Sequence, residues 1–109
     1  MSSDNDLLRF MDDCLNLLGE YAAPGQEEFL RSPLNQDAII RRMEILSDAA
    51  SHLSLELQER HGDVPWRAIA GFRNVVAHGY MGVAMARVWE YLMADVPALR
   101  AVVSAELDK

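Results

Sequence analysis

The chain is poor in the features that would commit it to several large classes of protein. It has one cysteine, Cys14, so no disulfide can close within it and a reducing, cytoplasmic setting is expected. No apolar run approaches the roughly 20 residues that a membrane-spanning helix needs. The opening Ser2-Ser3-Asp4-Asn5-Asp6 is too polar and acidic for a secretory signal. Four prolines and six glycines in 109 residues are too few for a β-rich or disordered chain. No segment alternates with period two, and there are no repeats or low-complexity tracts. Positive charge is also scarce: ten basic residues against 17 acidic ones leave a net −7. That excludes a dedicated nucleic-acid binder resting on many phosphate contacts, but not an enzyme that touches one or two. Gly-rich phosphate loops, nucleophile elbows and His or Cys pairs at ligand spacing are missing too, so neither a metal nor a cofactor is expected.

What is there is helical periodicity. Leu7, Met11, Cys14, Leu18 and Tyr21 recur at alternating spacings of four and three, predicting a first helix over about Asp4 to Tyr21. Ser3 with Asp6 forms a capping-box-like start, and Ala23-Pro24-Gly25 ends the helix. Cys14 on the apolar stripe reads as a buried, inert thiol. Gln26 to Leu30 fits a short helical turn anchored by Phe29 and Leu30. Ser32-Pro33 then supplies a hydroxyl cap and a first-turn proline. The rhythm Ile39, Met43, Leu46, Ala50, Leu53, Leu57 predicts one long helix from Pro33 to about Arg60, with Gly62 as its stop. A second stripe, Leu34, Ala38, Ile45 and Ala49, widens its buried face.

Val64-Pro65-Trp66 opens a third main helix with apolar positions Trp66, Ile69, Ala70, Phe72, Val76 and Ala77, which Gly79 is placed to end. From about Val83, the stripe Met85, Trp89, Leu92, Val96, Leu99, Val103 predicts a last helix that Pro97 kinks or restarts. Asp95 and the Glu106-Leu107-Asp108 stretch read as solvated. The whole is expected to be one all-α domain over residues 1–109, an antiparallel four- to five-helix bundle.

The candidate chemistry lies in Phe72-Arg73-Asn74-Val75-Val76-Ala77-His78-Gly79-Tyr80, which sets a cation, an amide, an imidazole and a phenol in apolar sequence. His61, beside Gly62, reads as a helix-end histidine suited to the dipole, and His52 as a position on the long helix. His78 differs by its company. Five positions place Arg73 and His78 about 140° apart on an ideal helix, so a joint site needs the helix to end near Gly79. Read from spacing alone, a surface or ion-paired Arg73 and a helix-end His78 remain an open alternative. If they converge, the imidazole can take and give a proton near neutral pH, and the guanidinium can hold a phosphate and offset developing charge. Asn74 can donate to a phosphate oxygen or orient the ring. Those groups suffice for metal-free RNA cleavage by the neighbouring 2′-hydroxyl.

Arg73, Asn74, His78 and Tyr80 follow the order Arg, polar residue, spacer, His, any residue, Tyr. Around them stand Glu28-Phe29-Leu30, Met43-Glu44-Ile45-Leu46, Asp48-Ala49-Ala50, Val64-Pro65-Trp66-Arg67, Val88-Trp89 and Asp95-Val96-Pro97-Ala98-Leu99. In these features, which span nearly the whole chain, the sequence resembles the HEPN superfamily and specifically the HepT-like toxins of HepT–MntA toxin–antitoxin systems. The resemblance implies a HEPN-like homodimer with its site in an interface cleft, and a metal-independent endoribonuclease in which Arg73 and His78 act on RNA. It also implies an MntA-like nucleotidyltransferase antitoxin that transfers AMP to Tyr80. One departure stands out: the family usually shows Gly-Glu-Ala where this chain has Ser47-Asp48-Ala49, so the supporting acid Asp48 is one methylene shorter. A non-catalytic HEPN module that binds a nucleotide or a protein in the same cleft is the alternative.

Overall fold

The computed structural model describes residues 3–72, 74, 76 and 84–109. Among them are six helices: α1 (Asp4–Ala22), α2 (Gln26–Arg31), α3 (Pro33–Ser51), α4 (Leu55–Arg60), α5 (Trp66–Ala70) and α6 (Met85–Leu107). Phe72, Asn74 and Val76 are helical as well, while the expected end of their helix at Gly79 and the start of the next at Val83 lie outside the described residues. No strand occurs among the described residues, and the fold is all-α.

The helix starts follow the hydroxyls in the sequence. Ser3 Oγ accepts the Asp6 backbone N–H at 3.1 Å, and Ser32 Oγ accepts that of Asn35 at 3.1 Å. Each satisfies one of the amides that a helix N-terminus leaves without an internal partner. Between α1 and α2 the chain turns through Gly25 at φ +99°, a conformation that strains any residue with a Cβ.

Two long-range bonds orient α1 against α3. Asn35 Nδ2, at the start of α3, donates to the Tyr21 carbonyl near the end of α1 at 2.9 Å. At the other end, Asp4 receives the Ser54 N–H at 2.8 Å and its hydroxyl at 2.6 Å. The two helices are therefore antiparallel. The C-terminal end of α6 meets α4 through Glu106, whereas Trp89 near its start packs on Phe29 of α2 at 5.3 Å between ring centroids. So α6 runs with α3 and against α1, and Arg100 of α6 bonds Asp12 and Asn16 of α1 across that boundary.

The core is one continuous cluster, with Met11, Phe29, Ile39, Phe72 and Val103 fully enclosed. The four-three stripes point into it: Ile39, Met43, Leu46, Ala50, Leu53 and Leu57 are all buried. Cys14 is buried at 1% exposure, as its register requires.

Several expectations need correction. The long helix is two helices: α3 ends at Ser51 and α4 begins at Leu55. His52 caps α3, and Ser54 caps α4 by accepting the Leu57 N–H at 3.1 Å. The Asp4 carboxylate holds Ser54 in an extended conformation at φ −60°, ψ 151°, so side-chain bonds replace the helical ladder there. Leu34 and Leu30 face solvent, at 82% and 44% exposure, so Phe29 alone anchors α2. Ala70 is exposed too, while Ile69, Phe72 and Val76 carry the burial of their segment. Finally, α6 continues through Pro97 without a restart. The proline is exposed and deletes a single ladder bond, and buried Leu92 and Leu99 hold the helix on either side.

Candidate functional site

The residues that precede Arg73, His78 and Tyr80 in the chain are well anchored. Trp66, the first residue of α5, donates its indole N–H to the carbonyls of both Gln58 and His61, at 3.1 and 3.0 Å. That ties α5 to the end of α4. Gly71 follows α5 in αR conformation, with its N–H on the Arg67 and Ile69 carbonyls. Beyond it, Phe72 and Val76, four apart, are both buried, and Phe72 meets Tyr91 of α6 edge-on at 5.6 Å. Asn74, about 200° around a helix from Phe72, is exposed. Arg73, His78 and Tyr80 lie outside the described residues.

Asp48, expected as a supporting acid, lies among the described residues. Asp48 is exposed on α3 and lines an open groove of about 360 Å³ with Leu7, Phe10, Arg41, Glu44 and His52. The neighbouring Ser47 is buried at 5%, so the departure from Gly-Glu-Ala sets a hydroxyl where a glycine would have no side chain. His52 Nδ1 lies 2.8 Å from the Asp48 carbonyl oxygen, which fixes its ring at the α3 terminus. Among the described residues no group of three or more His, Cys, Asp or Glu is arranged to hold a metal ion.

Two acids expected in solvent are withdrawn from it, Asp95 as a buried residue and Glu106 through its side chain. The Glu106 side chain is 6% exposed and is surrounded by cations: Arg60 Nη2 at 2.9 Å, His61 Nε2 at 2.6 Å and Lys109 Nζ at 3.2 Å. The Arg60 hydrogen bond, followed by that of His61, holds its carboxyl down to about 2. His61 is thus more than a helix-end histidine; it caps α4 and joins it to α6. Asp95 is 7% exposed and makes no hydrogen bond or ion pair among the described residues. Burial alone pushes its carboxyl above the usual aspartate range. It lines a second open groove, of about 590 Å³, with Ala84, Ala86, Arg87, Glu90, Tyr91 and Ala94.

Both burials had a signal in the sequence. Val88, Leu92, Asp95, Leu99 and Val102 keep the spacing four, three, four, three, and Glu106 continues the stripe through Leu99 and Val103. An acid at an apolar register position is a signal that its side chain is drawn towards the core.

The comparisons with known proteins agree with the geometry of an α-helical domain. The family model described as "Ribonuclease HepT-like" matches residues 11–106. A candidate RNase of Caldanaerobacter subterraneus subsp. tengcongensis is 32% identical over 103 residues, covering 94% of this chain and 92% of that protein. A protein of Methanocaldococcus jannaschii named as a gamma-glutamylcyclotransferase and candidate RNase is 34% identical; the alignment covers 89% of this chain and 46% of that one. A candidate ribonuclease HepT of Thermococcus cleftensis is 29% identical, with 90% of each chain covered. No solved structure gives a significant match.

Proposed function

The chain belongs to the HepT-like ribonuclease family, and from that premise we propose that it is a metal-independent endoribonuclease acting as the toxin of a toxin–antitoxin pair in the cytoplasm. The observation that carries the reading is the family match across residues 11–106, which contains the order Arg73-Asn74…His78-x-Tyr80 intact. In this reading His78 takes the proton of a ribose 2′-hydroxyl, which attacks the adjacent phosphorus while the bond to the 5′-oxygen breaks. Arg73 binds the phosphate and offsets its developing charge, and Asn74 supports the pair. The exposure of Asn74 leaves its amide available for that role. Asp48 is assigned the part of the supporting acid, and a homodimer brings two Arg73/His78 sets to one cleft. Paired sites of this kind concentrate positive charge locally on an acidic protein.

Tyr80 is the regulatory residue. Transfer of AMP to its phenol by an MntA-like nucleotidyltransferase would add bulk and negative charge beside His78, where the RNA phosphate has to sit. Co-expression with such an enzyme followed by mass spectrometry should find the added AMP on Tyr80; AMP on another residue refutes this assignment.

The decisive assay is cleavage of RNA in the presence of chelator by the wild type and by His78→Ala. Loss of at least about 100-fold is expected from removing the acid/base group, with the melting temperature unchanged. Equal cleavage by the variant sinks the proposal. The second reading, a non-catalytic binding module, is favoured by one observation, Ser47-Asp48 in place of Gly-Glu. It requires ligand binding that depends on Arg73 and no cleavage by the wild type.

A further inference from the structure

The groove on α6 is not used by the reading above, yet it begins at Ala84, six residues after His78. Its functional side chains form a single stripe. Arg87, Tyr91 and Asp95 are each four residues apart, so each lies about 6 Å farther along the helix and about 40° around it. Arg87 is exposed and makes no ion pair among the described residues. Tyr91 is half-buried, its ring steadied by the edge contact with Phe72. Asp95, 7% exposed as a residue, closes the stripe about 12 Å from Arg87, where it lines the groove and takes no donor from the described residues. The N-terminus of α6 lies at the Arg87 end, and Ala84 offers no side-chain cap for its first amides. Glu90, on the rim, is exposed and solvated.

A carboxylate that lines a groove without a donor from its own fold is an acceptor open to the N–H groups of a ligand. The ligand that fits the stripe has an anion at one end, a flat apolar body in the middle and two adjacent N–H donors at the other end. A nucleotide answers that description, and the donors decide which one. Guanine presents N1–H and the N2 amine side by side, matching the two oxygens of one carboxylate. Adenine and cytosine place an acceptor nitrogen beside their amine, and uracil flanks its single N–H with carbonyls.

We propose that Arg87, Tyr91 and Asp95 form a base-recognition subsite that selects an unpaired guanine in the RNA substrate. Arg87 and the α6 N-terminus hold a phosphate, Tyr91 supports the base, and the Asp95 carboxylate accepts from guanine N1–H and N2–H. This rests on the ribonuclease reading only in taking RNA as the ligand. A cationic side chain from a second copy of the chain would satisfy Asp95 alone and would leave Arg87 without an anion.

The test uses the full chain and fluorescent 2′-O-methyl pentanucleotides, which bind but lack the 2′-hydroxyl needed for cleavage. The central base is guanine, inosine or adenine in a uridine context. Guanine should bind about tenfold tighter than inosine, which lacks only the N2 amine. Asp95→Asn, isosteric and free of the buried charge, should bring all three within about twofold. Tyr91→Leu should weaken all three alike. Equal binding of guanine and inosine by the wild type, no binding of any of them, or an undiminished preference in Asp95→Asn each overturns the subsite. So does a change of oligomeric state in Asp95→Asn without any base preference, which would give the groove to a second copy. A guanine preference in a wild type that cleaves no RNA overturns the ribonuclease reading and leaves the subsite standing; cleavage without the preference does the reverse.

Discussion

Two acids on the same helix have little contact with solvent through their side chains and live under opposite conditions. Glu106, with its side chain 6% exposed, is held by Arg60, His61 and Lys109, and its carboxyl is pulled down to about 2. Asp95, 7% exposed, has no donor, and its carboxyl is pushed up by burial alone. Burial by itself therefore says little about what a charge does for a fold. A saturated carboxylate fastens α6 to α4; one without a donor fastens nothing.

The largest expected break in this comparison is Glu106→Gln, which strips the charge from three donors. It should cost about 1–2 kcal/mol and lower the melting temperature by several degrees in a thermal scan. The same advantage should disappear in acid. Because the Glu106 carboxyl is held down in the folded state, from 4.5 to about 2, its contribution is complete above about pH 4.5 and is lost as pH falls towards 2. Denaturant titrations of wild type and Glu106→Gln should thus diverge at neutral pH and converge near pH 2; a constant gap would refute the pairing. Asp4→Ala extends the saturated class to α1. Removing the acceptor of both Ser54 bonds should cost about 1 kcal/mol, read as an earlier urea midpoint. Smallest and opposite in sign, Asp95→Asn should add up to about 1 kcal/mol at neutral pH. Since the Asp95 carboxyl is raised in the folded state, its penalty applies above its folded pKa and fades as pH falls through it, so that gain should vanish in acid. A loss of stability at pH 7 would contradict the bare-charge description.

The helices were legible where burial follows a regular period. Ser3, Ser32 and Pro33 announced their helix starts, and the six-residue stripe from Ile39 to Leu57 went into the core as spaced. The break between α3 and α4 was hidden because Leu53 and Leu57 keep a helical spacing of four across it. Its cause is Asp4, 50 residues earlier, and no local pattern records that pairing. Pro97 was read as kinking or restarting its helix, and the restart does not occur: α6 runs on through it, held by buried Leu92 and Leu99. Glu106 and Asp95 were read as solvated from their charge, although the register held both inside. Within the candidate site, the residue types Arg73, His78 and Tyr80 were legible only as chemistry and family likeness. The anchoring of the chain just before them, Trp66 on two carbonyls and Phe72 against Tyr91, needed the fold.

The Asp4–Ser54 clasp has a consequence for how the domain breathes. Ser54 is exposed, and an amide in such a connection ordinarily trades its hydrogen with water almost freely. Here its N–H is held by a carboxylate from the start of α1, while its hydroxyl donates to that carboxylate and accepts from Leu57. Its exchange therefore tracks the separation of α1 from the α3–α4 joint, a sub-global opening, instead of local fraying. A slow amide at position 54, bounded by faster neighbours, would make this short connection the most direct gauge of when the bundle lets go of its first helix.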